Sequence, residues 1–224
     1  MQIDIVSLFP EYFAGPFDES MIKRARNNGI LDIRHTNIRD YADNKHNRVD
    51  DRPYGGGPGM VLMAKPVVEA VRSVKTPEST VIYLSPQGKT LTPAMARELS
   101  TKEHLVFLCG HYEGIDERAL GAIVDEEISI GDYVVTSGCP AAIVVIDAMA
   151  RYIPGFLGDE DSAEEDSFEN GILDCPHYTR PPEFEGNNVP EVLLSGNHKD
   201  IEKWRHEEAL KKTKTVRPDL TEKR

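Results

Sequence analysis

A chain of 224 residues with 39% hydrophobic and 29% charged side chains can bury one large core or two modest ones, and it is too apolar for a disordered segment. No apolar run approaches the roughly 20 residues that span a bilayer, and three widely spaced cysteines, Cys109, Cys139 and Cys175, form no C-x-x-C pair, which argues against a disulfide framework or a zinc knuckle. The net charge of −12 argues against a surface built wholly to grip nucleic acid, although charge is segregated: bases crowd Lys199 to Arg224, and acids crowd Asp159 to Glu169.

The first residues, Met1-Gln2-Ile3-Asp4-Ile5-Val6, lack the basic region, apolar core and small-residue cleavage site of an export signal, so a cytoplasmic location is expected. Ile3 to Phe9 reads as a strand stopped by Pro10, Glu19 to Asn28 as a helix ended by Gly29, and Ile30 to Ile38 as a second strand. Arg39 to Met60 is a long polar loop carrying Lys45, His46, Arg48, Asp50, Asp51 and Arg52, then Gly55, Gly56, Gly57 and Gly59. It matches neither the P-loop nor the dinucleotide fingerprint, and by itself reads as a solvated loop. Lys65 to Lys75 is helical in pattern, and Thr80 to Leu84 is a strand ending in Ser85-Pro86-Gln87-Gly88. Thr92 and Pro93 open a helix as N-cap and first helical residue. Leu105 to Cys109 is a fully apolar strand running into Gly110-His111-Tyr112-Glu113-Gly114-Ile115-Asp116, with Asp116 placed to cap the next helix.

Glu127 to Arg151 follows. Ile128 to Ile130 meets Gly131-Asp132, the apolar run resumes as strand at Tyr133 to Val135, breaks at Ser137-Gly138, and enters a nearly all-apolar segment expected to be a buried helix. Alone, this stretch reads as a core strand turning into a core helix. The whole pattern, β-α repeated, predicts an α/β fold with a mainly parallel sheet flanked by helices. Ligands in such folds bind beyond the carboxyl ends of strands. Three successive strand ends carry turn-rich sequence, Ser85 to Gly88, Gly110 to Gly114 and Ile130 to Tyr133, and their coincidence favours a small-molecule site there. Tyr152 to Gly158 breaks the helix, which sets the expected organisation: a first domain over 1–158 that carries the strand-end site, an acidic linker over 159–170, and a small second domain over 171–224 with a helix from about Lys199 to Lys212. That helix reads as an amphipathic surface helix or as a face that docks on phosphates.

Several blocks in order resemble the bacterial tRNA (guanine-N1)-methyltransferases of the knotted SPOUT class. They are I-D-I-V-S-L-F-P from Ile3, N-K-H-N-R-V-D-D-R-P-Y-G-G-G-P-G-M from Asn44, L-C-G-H-Y-E-G-I-D-E-R from Leu108, S-I-G-D-Y-V from Ser129 and I-P-G from Ile153. D-S-F at Asp166, L-D-C-P-H-Y-T-R-P from Leu173, V-L-L-S-G-N-H from Val192 and W-R at Trp204 extend the likeness nearly end to end. The resemblance implies a trefoil knot late in the first domain, a small, mostly helical C-terminal domain that binds tRNA, and a homodimer with substrate between one subunit's cofactor domain and the other's C-terminal domain. It implies S-adenosylmethionine held by Gly110 and by Ile130, Gly131, Asp132, Tyr133, Val134 and Val135, with Leu84, Ser85, Pro86, Tyr112, Gly114 and Gly138 completing the cradle and Glu113 near the methionine part. The family's dependence on magnesium implies a divalent ion, though no ligand cluster in the sequence locates a site for it.

Guanine N1 carries a proton at neutral pH, so its methylation needs a base, and negative charge develops toward O6. By resemblance Asp166 is that base and Arg151 the cation that steadies O6. The loop from His46 to Gly59 is a candidate for drawing the target base from its stack. One block departs from the family: where its pattern is close to L-S-G-G-E-L-P-A, this chain has Val135-Thr136-Ser137-Gly138-Cys139-Pro140-Ala141-Ala142. If the first glycine of that pair needs positive φ, Ser137 is strained by about 1–2 kcal/mol. A second reading follows, an RNA-binding SPOUT protein with impaired cofactor binding, and a third is an unrelated small-molecule α/β enzyme using the same strand ends.

Overall fold

A computed structural model describes residues 1–158 and 166–221; the acidic residues Asp159, Glu160, Asp161, Glu164 and Glu165 lie outside the described residues. The chain divides into two compact units, Met1–Gly158 and Asp159–Arg224. Among the described residues no helix is long and apolar enough to cross a membrane.

The first unit is built on strands β1 (Gln2–Ser7), β2 (Asp32–Asn37), β5 (Ser79–Thr90), β6 (His104–Cys109) and β7 (Glu126–Ser129), with a short antiparallel pair formed by β3 (Asp50–Asp51), inside the long polar segment, and β4 (Val61–Leu62), just after it. The five strands form one sheet in the order β2-β1-β6-β5-β7, every pairing parallel. Helices α1 (Ser20–Asn27), α2 (Ala64–Val74), α3 (Pro93–Ser100), α4 (Glu117–Ile123) and α5 (Gly138–Ala150) connect and cover it. Successive side chains of a strand point to opposite faces, and the core divides accordingly. Ile3, Ile5, Leu105 and Phe107 pack with Ile22, Leu99, Val145 and Met149 of α1, α3 and α5. Val6, Val81, Val106 and Leu108 pack with Val67, Val71, Ala119 and Ile123 of α2 and α4. β6 is buried at all six positions, which its continuous apolar run requires.

Two expectations need correction. β5 does not end at Leu84 but runs to Thr90, because β7 offers it a second pairing: both Leu84 and Lys89 lie opposite Ile128, and the residues between them bulge out. Gly88 makes that bulge possible, since a Cβ there would fall 2.5 Å from the backbone of Glu127 and Ile128. Nor do Tyr133 to Val135 form a strand; they are irregular and exposed, Val134 at 82%, as no neighbouring strand pairs with them.

In the second unit, residues 166–170 make a turn whose Phe168 N–H donates to the Ile172 carbonyl at 2.8 Å. A hairpin, β8 (Glu183–Phe184) with β9 (Asn187–Asn188), and a short helix α6 (Glu191–Leu194) precede the dominant α7 (His198–Val216), longer at both ends than its pattern predicts. Thr213, fully buried on α7, accepts the Leu173 N–H at 2.9 Å and donates to the Ala209 carbonyl at 2.7 Å.

Candidate active site

Three chain segments leave the carboxyl ends of neighbouring strands β6, β5 and β7 and enclose a cleft of about 650 Å³. The β5 bulge contributes Ser85, Pro86 and Gln87; the turn after β6 contributes Gly110 to Ile115; the loop after β7 contributes Ile130 and Tyr133 to Gly138. Of the residues singled out in the sequence, Leu84, Ser85, Pro86, Gly110, Tyr112, Glu113, Gly114, Ile130, Tyr133, Val134, Val135 and Gly138 line the cleft. Gly131 and Asp132 do not. Gly131 serves the loop instead: its φ of 144° suits glycine, the Tyr133 N–H donates to its carbonyl at 2.9 Å, and the Tyr133 ring lies 2.6 Å from where a Cβ would stand.

The walls meet at glycines. The Gly138 N–H donates to the Gly110 carbonyl at 2.8 Å, and a Cβ on Gly138 would fall 2.9 Å from Cys109 Cα and 3.0 Å from Gly110 N. A Cβ on Gly110 would stand 3.0 Å from the Tyr83 hydroxyl. The glycine-rich loop also reaches this wall: a Cβ on Gly59 would overlap the Glu113 carboxylate, and the Glu113 N–H donates to the Met60 carbonyl at 3.0 Å.

Ser137 is not strained. Its φ of −163° is extended backbone open to any residue, and its hydroxyl caps α5 by accepting the Cys139 N–H at 3.3 Å. The residue expected to weaken the loop therefore supplies a helix cap.

Tyr83 and His111 also line the cleft and went unselected in the sequence. Tyr83 sits one position before Leu84 in an apolar run, where alternation marks it only as core. Burial, then the charges of Glu127 and Glu117, push its hydroxyl up to about 12, so it stays protonated and can donate. His111 could be found only by its place in the turn. Desolvation and then Arg39 lower its pKa, and its Nδ1 is buried with no hydrogen-bond partner among the described residues.

Arg151 caps the carboxyl end of α5 and is half-buried, as is Asp166, which opens the described part of the second unit. Neither belongs to the cleft lining. Among the described residues, Asp174, Cys175 and His177 offer three donor atoms within 4.8 Å of one another. A thiol and an imidazole with one carboxylate do not suit magnesium, which takes oxygen ligands in an octahedron.

The family model described as tRNA (Guanine-1)-methyltransferase TrmD matches residues 1–223. A tRNA (guanine-N(1)-)-methyltransferase of Protochlamydia amoebophila is 66% identical over 98% of this chain and 99% of its own length. Proteins of the same name from Carboxydothermus hydrogenoformans and Chlamydia trachomatis serovar L2 are 56% and 58% identical over 98% of this chain, which spans 87% and 62% of their respective lengths.

Proposed function

The chain belongs to the tRNA (guanine-1)-methyltransferase family, and from that premise we propose that it transfers a methyl group from S-adenosylmethionine to N1 of the guanine just 3′ of the anticodon in tRNA. One observation carries the reading: relatives 56–66% identical across 98% of the chain are named tRNA (guanine-N(1)-)-methyltransferase. The alternative of a binding protein with an impaired cofactor loop is not favoured, because it rested on strain at Ser137 that the extended backbone removes.

The cleft fits the methyl donor on its own geometry. Glycines stand where side chains would fill it, at Gly110 and Gly138, and its lining offers backbone groups, the Tyr83 hydroxyl and carboxylates such as Glu113, with no lysine or arginine among the described residues that form it. Such groups suit an adenosine and an amino acid held without a phosphate. When bound, S-adenosylmethionine supplies an electrophilic methyl group on a sulfonium. Leu84 to Pro86, Gly110, Tyr112 to Gly114, Ile130, Tyr133 to Val135 and Gly138 would hold it, with Gly131 shaping the loop. Asp166 accepts the N1 proton as the lone pair attacks carbon, and the Arg151 guanidinium donates to O6 as charge collects there. In this reading, which follows the family, the chain is knotted where α5 meets Gly110, works as a homodimer in the cytoplasm, and uses its second unit to bind tRNA; the lysines and arginines of α7 are in keeping with the last of these.

Gly138→Ala tests the cleft. The added methyl meets backbone on Cys109 and Gly110, and such overpacking costs about 1–3 kcal/mol. Calorimetric titration should show S-adenosylmethionine bound at least about tenfold more weakly, a loss of roughly 1.4 kcal/mol. Wild-type affinity would remove Gly138 from the cradle.

The activity itself is tested by methyl transfer to unmodified tRNA bearing guanine 3′ of the anticodon. Inosine there, which keeps N1 and O6, should still accept methyl, while adenosine should not. No transfer to either purine with O6, under conditions where the donor binds, would end the reading.

A further inference from the structure

The thiols of Cys109 and Cys139 take no part in the reaction just described, yet the fold sets them against each other. His111 and Ser137 form an antiparallel bridge, and one step along it the Gly138 N–H reaches the Gly110 carbonyl. Gly138 and Cys139 open helix α5, and a Cβ on Gly138 would stand 2.9 Å from Cys109 Cα, so the first turn of α5 is seated against Cys109. Both side chains are buried, 1% and 3% exposed, in the same core cluster.

The two thiols are also chemically unlike. Hydrogen bonding with Cys109, then with the Ser137 hydroxyl, holds Cys139 below the ordinary thiol range, whereas its bond to Cys139 and burial push Cys109 well up. Cys139 lies in the first turn of the 13-residue α5, where a thiolate is favoured. It follows Ser137 and Gly138, which line the cleft.

We infer that Cys109 and Cys139 form an oxidisable dithiol that hydrogen peroxide closes to a disulfide, weakening cofactor binding in the adjoining cleft. The Cys139 thiolate attacks one peroxide oxygen, the O–O bond breaks, and the departing hydroxide takes a proton to become water. The sulfur is now a sulfenic acid. Cys109 attacks that sulfur and expels its hydroxyl as a second water, so two thiols and one peroxide give one disulfide and two waters. A disulfide draws the sulfurs to about 2.05 Å, and Gly138 has no slack toward Cys109. The displacement falls on Gly110, Ser137 and Gly138 in the cleft wall.

The effect on the cofactor rests on the function proposed above; the bond itself does not. The reduced full-length protein is treated with hydrogen peroxide, quenched and digested with trypsin. Peptides 103–118 and 119–151 should be joined through Cys109 and Cys139, leaving Cys175 free. S-adenosylmethionine affinity should fall about tenfold, return with dithiothreitol, and stay unchanged in peroxide-treated Cys139→Ala. Unlinked peptides, or a bond to Cys175, overturn the pairing, and linkage with undiminished affinity overturns the coupling to the cleft. Reduced protein that binds no S-adenosylmethionine would sink the methyltransferase reading and this coupling together, while the peptide map still decides the pairing.

Discussion

Asp166→Ala should slow single-turnover methyl transfer by about 10²–10⁴-fold, the usual contribution of a positioned general base, while S-adenosylmethionine binds as before. The two readouts separate because Asp166 belongs to the second unit and is not among the residues that line the cleft. The size of the loss follows from the chemistry of N1. Its proton must leave as the methyl arrives, and without a base the nucleophile is a neutral lactam nitrogen of little reactivity. Asp166→Asn sharpens the test, since it keeps size and hydrogen-bonding capacity but cannot take a proton; it should be nearly as slow as alanine. Transfer undiminished in both variants would move the base elsewhere. Loss of donor binding in Asp166→Asn would show instead that the residue serves the cleft.

Much of this arrangement was legible from local chemistry. The apolar run of β6 could only be a central strand, and the punctuation after β6, β5 and β7 pointed to one edge of one sheet, which the cleft occupies. Where the reading failed, the missing information was tertiary. Pro86 and Gly88 signal a turn, and nothing local says that β7 will pair with β5 on both sides of the bulge. Val134 and Val135 have strand propensity but no neighbour to pair with. Ser137 looked strained because the family pattern has glycine there; its extended backbone and its place before α5 make serine a suitable cap. Knots and subunit pairing leave no trace in periodicity, so those expectations come from the family alone.

The amino ends of the same strands hold a feature that alternation hid. In I-D-I-V, Asp4 reads as an exposed position between core residues, yet it is 2% exposed and His104 beside it 5%. Their Nε2 and Oδ2 atoms lie 2.7 Å apart, Ser79 Oγ is 2.7 Å from His104 Nδ1, and Gln2 Nε2 donates to the same Asp4 oxygen at 2.7 Å. A buried polar network is stable only while every member has a partner. Asp4→Ala leaves the buried His104 ring without its partner and the half-buried Gln2 amide without its acceptor, and breaking such a buried pair costs about 3–5 kcal/mol. Against a total of roughly 5–15 kcal/mol for a typical domain, that is a large share. Urea unfolding should show the midpoint lowered with little change in slope. Asp4→Asn retains an acceptor for His104 and should lose much less, about 1–2 kcal/mol. Equal losses in the two variants would mean that the negative charge, not the hydrogen bonding, holds the network. Because Ser79 and His104 start their strands, Asp4 lies in the first half of β1, and the cleft lies at the carboxyl ends of β5, β6 and β7, Asp4→Asn should bind S-adenosylmethionine as tightly as the native chain. Weakened binding in that variant would show that strain at one end of this parallel sheet is transmitted to the other.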